Sequence, residues 1–213
     1  CPTSVLKIIQ AHIKFSKLIL SYDLQLIGLN SQYSENIFEN LFFTIRTIPL
    51  KHSVYTNGFI IREKIKKRKL VLDKAVKNKI NKIYFNKLTK GINVKNEEGF
   101  EIDYRDVTEK GANPKSYAYC SDTCFSENIV HLIKNVDLLY CEATFLERDR
   151  QRALSTFHST AKDAAKLALK ANAGMLLIGH FSSRYDDYQE FLNESKEIFE
   201  NVELSEDGKK IDF

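Results

Sequence analysis

The sequence contains little proline and glycine, and it has no long apolar segment. Three prolines and eight glycines in 213 residues are too few for a collagen-like or low-complexity chain. No stretch of about 18 apolar residues occurs, so no membrane-spanning helix is predicted. With 43% hydrophobic residues, the chain can instead fill the core of one large or two small globular domains.

Paired cysteine motifs are also missing. The four cysteines form no C-x-x-C pair, so their spacing indicates neither an oxidising compartment nor a closed structural zinc site. The first residues include no initiator methionine and have none of the features of a secretory signal peptide. We therefore expect a cytoplasmic protein, and we expect the sequence to begin inside a longer chain.

The formal charge of +4 hides an uneven distribution. Residues 62–90 contain twelve basic and two acidic side chains, so this segment has a net charge of +10 and the rest of the chain has −6. A segment this basic must be solvated, and a polyanion such as a nucleic-acid backbone is its natural partner. Basic runs also occur as solvated helical faces, and this one has no base-reading motif, so both interpretations stay open.

Strand and helix patterns alternate along most of the chain. The first half predicts a helix over 5–21 and strands over 24–29, 41–48 and 58–61. The second half predicts strands over 116–120, 136–141 and 174–179, and helices over 129–133, 159–171 and 188–199. This order predicts a layered α/β fold. Residues 63–115 show little apolar alternation, and we interpret them as an inserted arm without a core of its own.

Polar residues follow three of the predicted strands directly. Asp122, Glu142 and His180 lie at carboxyl ends, where α/β sheets build their sites. Each has an ordinary alternative: a helix cap, a solvated loop carboxylate and a hydrogen-bonded core histidine. Their occurrence at three equivalent strand ends favours a shared site.

Three of the five histidines, His52, His158 and His180, lie at the ends of predicted elements, whereas His12 and His131 lie in amphipathic helices and are interpreted as structural. Imidazole and carboxylate ligands together suit Zn²⁺ or Mn²⁺. We therefore predict a catalytic metal site with dispersed ligands.

Four short segments carry a resemblance to a known family. They are Ser-Asp-Thr at 121–123, Cys-Glu-Ala-Thr-Phe at 141–145, His-Ser-Thr at 158–160 and Gly-His-Phe-Ser-Ser-Arg-Tyr at 179–185. In this order they resemble ribonuclease Z, the tRNA 3′-processing endonuclease of the metallo-β-lactamase fold. Pro-Leu-Lys-His at 49–52 resembles the preceding histidine motif. The resemblance implies an αββα sandwich, incomplete at the N-terminus, with an inserted basic arm.

The resemblance also implies a dinuclear zinc site, with Mn²⁺ as an alternative. The metal ligands would be His52, Asp122 and His180, with Asp122 bridging two ions. Glu142 would pair with His158, which would donate a proton to the leaving 3′ oxygen after metal-bound hydroxide attacks the phosphodiester. The residues implied to hold substrate phosphates are Ser159, Thr160, Ser182 and Arg184.

The basic segment corresponds to the arm with which this family binds tRNA. We expect residues 63–113 to form that arm, and the basic cluster implied to contact tRNA consists of Lys66, Lys67, Arg68 and Lys69. The implied partners are precursor tRNA and a second copy of the chain in a homodimer.

The family's H-x-H-x-D-H motif occurs nowhere in these 213 residues. We therefore expect the sequence to be a C-terminal portion of the enzyme that is inactive on its own. Two alternatives remain: a non-catalytic tRNA-binding or dimer-partner fragment, and another hydrolase of the same fold that acts on a small ester or lactam.

Overall fold

The computed structural model describes residues 1–29 and 32–213, which form two compact units. The first unit comprises Cys1–Phe38, Ile45–Ile61 and Ser116–Phe213, and the second comprises Glu39–Thr44 and Arg62–Lys115. The strands, numbered in chain order, are β1 (Asn36–Glu39), β2 (Phe43–Pro49), β3 (Asn57–Glu63), β4 (Lys69–Leu70), β5 (Val94–Lys95), β6 (Glu101–Ile102), β7 (Thr108–Glu109), β8 (Ser116–Cys120), β9 (Leu138–Glu142), β10 (Met175–Gly179) and β11 (Val202–Leu204). The α-helices are α1 (Thr3–Ser16), α2 (Leu72–Lys77), α3 (Phe85–Thr89), α4 (Tyr104–Val107), α5 (Arg150–Thr156), α6 (Ala161–Ala171) and α7 (Gln189–Lys196).

The largest sheet has seven strands in the order β1-β2-β3-β8-β9-β10-β11. Strands β8 to β11 are parallel, and the register places Cys120 beside Cys141 and Glu142 beside Gly179. Because parallel strands end at the same edge of a sheet, the residues that follow them are delivered to one place.

Side chains alternate between the two faces of this sheet. On one face, Leu139 and Ile178 join the main core together with the alanines of α6. On the other, Leu138, Met175 and Leu177 form a smaller cluster. The near-continuous apolar runs of β9 and β10 reflect burial on both faces.

The start of α6 is set by a capping box. The Thr160 side chain accepts a hydrogen bond from the Asp163 N–H at 3.2 Å, and the Asp163 carboxylate accepts one from the Thr160 N–H at 3.3 Å. The helix ends at Asn172, which adopts a left-handed conformation with φ +50°. The helix therefore begins two residues after the predicted start at 159.

The second unit has its own hydrophobic core, so the prediction that this stretch lacks one is wrong. The core is formed by buried apolar residues of α2, α3, α4, β5 and the loop after α2, namely Ala75, Ile80, Leu88, Val94 and Val107. Two antiparallel pairs, β4 with β7 and β5 with β6, complete the unit. Its core residues are scattered among charged and polar residues, so they form no regular apolar period in the sequence.

Two predictions for the first 30 residues also fail. Helix α1 ends at Ser16 rather than at residue 21, because Lys17 turns into the left-handed region with φ +51°. No strand forms over 24–29, where Leu29 makes only a single bridge with Pro2. Among the described residues, no helix is long and apolar enough to cross a membrane.

Candidate metal centre

The carboxyl edge of the parallel strands brings the predicted site residues together. Asp122 and His180 each come just after a strand, and each has a positive φ, +55° and +62° respectively. This conformation is uncommon for residues other than glycine and marks sites held by their surroundings. It places the two side chains together, with His180 Nε2 3.4 Å from Asp122 Oδ1.

His52 is held at this edge by two connections. The Lys51 N–H donates to Thr123 Oγ1 at 3.1 Å, and the Cys124 N–H donates to the Lys51 carbonyl at 3.0 Å. These bonds fasten the end of β2 to the turn that carries Asp122. His52 Nδ1 lies 3.1 Å from the Phe157 carbonyl oxygen, and donation to that acceptor leaves Nε2 with a free lone pair.

Glu142 is fully buried, with 0% exposure, and is surrounded by donors. The Thr123 N–H donates to Oε1 in a short hydrogen bond, and the Ser159 N–H donates to Oε2 at 3.2 Å. The Thr144 hydroxyl donates to Oε2 at 2.5 Å, and His158 Nδ1 lies 3.0 Å from both oxygens. Because a buried carboxylate needs such partners, these contacts stabilise the negative charge of Glu142 inside the protein.

Thr144 links Glu142 to His180. Its hydroxyl proton goes to Glu142, so its oxygen is the acceptor for His180 Nδ1 at 2.9 Å. This arrangement fixes the His180 tautomer with the proton on Nδ1 and leaves Nε2 to bind a metal. Carboxylate contacts of this kind, direct or relayed, are typical of metal-ligating histidines.

The rings of three histidines are neighbours. The His158 centroid lies 5.0 Å from that of His52 and 5.4 Å from that of His180. Ligand atoms of His52, Asp122 and His158 lie within 4.8 Å of one another, and so do those of Glu142, His158 and His180. The closeness of Glu142, His158 and His180 is explained by hydrogen bonding without a metal, because Glu142 accepts a hydrogen bond from Nδ1 of His158. The Nε2 atoms of His52 and His180 and the carboxylate of Asp122 fit a metal such as zinc.

His158 is presented by the end of α5. Phe157 ends this helix in the left-handed region with φ +60°, and the His158 N–H returns to the Ala153 carbonyl at 2.8 Å. The next residue, Ser159, donates its hydroxyl to the Thr123 carbonyl at 2.6 Å. The 121–123 and 158–160 segments are therefore joined directly.

No protein-family model matches the chain. A ribonuclease Z from Cytophaga hutchinsonii is 40% identical over 208 residues, which are 97% of this chain and 66% of that protein. A ribonuclease Z from Phocaeicola vulgatus is 34% identical over 211 residues, which are 99% of this chain and 68% of that protein. The chain belongs to the ribonuclease Z family.

Solved structures agree with this ribonuclease Z assignment at the level of the fold. Human tRNase Z, short form, matches 97% of this chain and 63% of its own, with a TM-score of 0.56 and 19% identity. The metallo-β-lactamase fold protein YhfI from Bacillus subtilis matches 92% of this chain and 59% of its own, with a TM-score of 0.56 and 18% identity. The predicted metallo-β-lactamase fold is confirmed. The chain spans about two thirds of the length of the ribonuclease Z relatives it matches, 66% for C. hutchinsonii and 64% for Porphyromonas gingivalis.

Not all the residues predicted from the ribonuclease Z motifs face an open site. The hydroxyls of Ser159 and Thr160 are buried and bonded within the protein, Thr160 Oγ1 donating to Glu147 Oε2 at 3.0 Å. Arg184 is exposed, and the Ser182 N–H donates to the Thr144 carbonyl at 3.1 Å. Phosphate binding by these four residues stays a prediction.

A polar network behind the 158–160 loop escaped sequence reasoning. Arg150 contacts Glu147 at 2.5 Å and Asp163 at 2.8 Å, and so connects α5 to the start of α6. The Arg150 guanidinium holds the pKa of Glu147 below its ordinary value. No sequence signal marks this network, although the Thr-x-x-Asp spacing at 160–163 could have shown the cap.

In the second unit, the four predicted arm residues differ in their surroundings. Arg68 donates to the side chain of Thr108 at 2.6 Å and to its carbonyl at 3.2 Å, and it lies over the Tyr104 ring. Lys66 pairs with Glu63 at 3.2 Å. Lys67 and Lys69 are exposed.

Proposed function

We propose that this chain forms part of a metal-dependent endoribonuclease that removes the 3′ trailer from precursor tRNA. The observation that carries the proposal is the cluster of His52, Asp122, His158 and His180 around buried Glu142, in a chain of the ribonuclease Z family. The relatives are named ribonuclease Z, and the human structure is named tRNase Z.

His52, Asp122 and His180 are the residues that would hold the metal, and zinc is the proposed ion. Nδ1 of each histidine faces its own acceptor, the Phe157 carbonyl and the Thr144 hydroxyl. Both imidazoles are therefore oriented to bind through Nε2. When bound, the metal would stabilise charge on the phosphodiester and lower the pKa of a water molecule.

His158 is the proposed general acid. Its Nδ1 lies 3.0 Å from both oxygens of the Glu142 carboxylate, which fixes the orientation of the ring. Nε2 can then donate a proton to the leaving 3′ oxygen. Glu142 is a positioning residue in this mechanism, because its buried oxygens are occupied by protein donors.

The basic surface of the second unit is the proposed tRNA-binding arm. Contact with structured RNA is mainly to phosphates and shape, which suits exposed lysines. Since Arg68 is bonded within the unit, we assign the RNA contact to Lys67 and Lys69. Ser182 and Arg184 remain the proposed phosphate ligands near the metal.

The experiment is cleavage of a precursor tRNA with added zinc, comparing His180→Ala with His12→Ala, a control on the exposed face of α1. We expect His180→Ala to abolish cleavage and to leave tRNA affinity within about twofold. Because the chain lacks the H-x-H-x-D-H motif, we expect the 213 residues alone to cleave far more slowly than an intact relative. If the protein binds precursor tRNA but cleaves none at any zinc concentration, the non-catalytic alternative is favoured.

A further inference from the structure

The loop that follows β10 turns back on itself directly after His180. The Ser182 N–H donates to the Thr144 carbonyl at 3.1 Å, and the Tyr185 N–H donates to the Ser182 carbonyl at 3.2 Å. The hydroxyl of the same threonine accepts from His180 Nδ1 at 2.9 Å. The backbone of the turn is therefore attached to the segment that also orients the His180 ring.

Tyr185 attaches the other end of this turn through its side chain. Its phenol oxygen accepts a hydrogen bond from the Leu146 N–H at 3.2 Å and donates one to Asp149 Oδ2 at 2.5 Å. The ring packs edge-on against Phe191, with the two centroids 4.9 Å apart, and the guanidinium carbon of Arg148 lies 5.7 Å from the ring centroid. Packing therefore fixes the ring, and the hydroxyl forms both hydrogen bonds that hold the end of the turn.

The backbone of His180 needs support on both sides. Its φ of +62° is uncommon for a residue other than glycine, and such a conformation persists where the surrounding structure holds it. On one side, Gly179 is held in β10 by its pairing with Glu142 of β9. On the other side, the support comes from the turn and from the hydroxyl of Tyr185. Without that hydroxyl, the residues after His180 can relax, and the orientation of the imidazole is lost.

We propose that Tyr185 is a positioning residue of the metal centre, whose phenol keeps His180 in the orientation that binds a metal through Nε2. The proposal rests on the proposed function, in which His180 is a metal ligand. Tyr185 acts through the loop at 181–185 and not by contact with the ion. The same anchor fixes the backbone of the neighbouring Arg184, whose side chain is exposed.

The first measurement is the zinc affinity of the purified 213-residue chain, by titration with zinc chloride. We expect Tyr185→Phe, which keeps the ring and removes both hydrogen bonds, to weaken zinc binding about tenfold, the smaller end of the effect of losing an outer partner. Asp149→Ala should weaken it by a similar factor, and Asp149→Asn, which keeps an acceptor oxygen, should stay within about threefold of the parent. Tyr185→Phe combined with Asp149→Ala should lose little more than either alone, because both changes remove the same hydrogen bond.

Tyr188→Phe is the matched control. The Tyr188 ring stacks on Phe181 with the centroids 4.7 Å apart, and in the described part of the chain its hydroxyl has no hydrogen-bond partner. This change should leave zinc affinity within about twofold of the parent. Melting temperatures separate positioning from folding, because a loss of global stability does not by itself change the zinc affinity of the folded chain.

The second measurement needs no metal. Hydrogen exchange of the Ser182 amide, followed by NMR, should be about tenfold faster in Tyr185→Phe than in the parent and in Tyr188→Phe, because the turn opens more often. Unchanged exchange, parental zinc affinity in Tyr185→Phe, or an equal loss of affinity in Tyr188→Phe would overturn the proposal. If the parent binds no zinc, the proposed metal centre fails. Faster exchange in Tyr185→Phe would then still support the anchoring of the turn, and unchanged exchange would overturn it.

Discussion

At the scale of single residues, the centre depends on a threonine that no metal would touch. Thr144 donates a hydrogen bond to Glu142 and accepts one from His180. One hydroxyl therefore connects a buried carboxylate to a candidate metal ligand. His158 receives the same carboxylate directly. Two of the three imidazoles of the site are thus oriented by Glu142.

We predict that Thr144→Val lowers metal affinity about 10- to 100-fold, the usual effect of losing a partner behind a metal ligand. Valine keeps the shape but removes the hydrogen bonds, so His180 loses its acceptor and Glu142 one donor. Zinc titration of the purified chain measures the effect. Thr144→Ser, which keeps the hydroxyl, should bind zinc within about threefold of the parent, and a valine variant with parental affinity would contradict the relay.

At the scale of elements, the end of α5 and the start of α6 fix the position of the 158–160 loop, which carries His158. The Thr160 hydroxyl forms the N-cap of α6. Arg150, which lies in α5, donates a hydrogen bond to Asp163 of the same cap. The left-handed end of α5 then presents His158. The 158–160 loop is therefore held on one side by the end of α5 and on the other by the start of α6.

Thr160→Ala should destabilise the protein by about 1 kcal/mol, the typical cost of losing an N-cap. The direct effect falls on folding because the hydroxyl is buried and bonded to Glu147. Thermal denaturation measures it, with Thr160→Ser as the matched control that keeps the cap. If Thr160→Ala instead kept full stability and bound RNA more weakly, Thr160 would be a phosphate ligand as the sequence resemblance implies.

The sequence predicts strands correctly where both faces of a strand are buried, because such strands are short continuous runs of apolar residues. Strands β8 to β10 are short apolar runs, with Asp122, Glu142 and His180 at or just after their carboxyl ends, and their parallel alignment follows from the alternation with helices. The apolar run at 24–29 looks similar but pairs with no strand in the described structure beyond one bridge. Apolar spacing reports which residues can be buried, and it does not report whether a neighbouring strand exists to bury them.

The hydrogen-bond partners could not be predicted in the same way. Glu142 and His158 were paired through the family resemblance, whereas the Thr144 bridge and the Arg150 network depend on atoms brought together by the fold. The predicted helix over 129–133, which would contain His131, is wrong, because the structure has a 3₁₀ turn at Glu127–Ile129 followed by turns. Side chains on such turns follow local backbone geometry, which no periodicity records.

At the scale of the whole molecule, the chain contains two units with separate cores and unequal charge. The first unit carries the candidate metal centre, and the second carries the whole basic segment at 62–90. Separate cores allow the second unit to change its surface without repacking the sheet. Its exposed lysines are therefore suited to testing by charge removal.

We predict that Lys67→Gln combined with Lys69→Gln weakens tRNA binding and reduces the slope of log affinity against log salt by about 1 to 2, since fewer counterions are released. Lys14→Gln combined with Lys17→Gln in the first unit removes the same charge and serves as the control. Filter binding at several salt concentrations measures both. Parallel slopes for the arm variant, its control and the parent would remove the arm from the RNA contact.

The donors around Glu142 also determine when the centre can form. They come from Thr123, Thr144, His158 and Ser159, segments up to 36 residues apart that meet only after the parallel strands have aligned. Contacts between distant segments form slowly, because the loops between them must close first. We therefore expect the centre to become ordered late in folding, after the sheet that positions its donors.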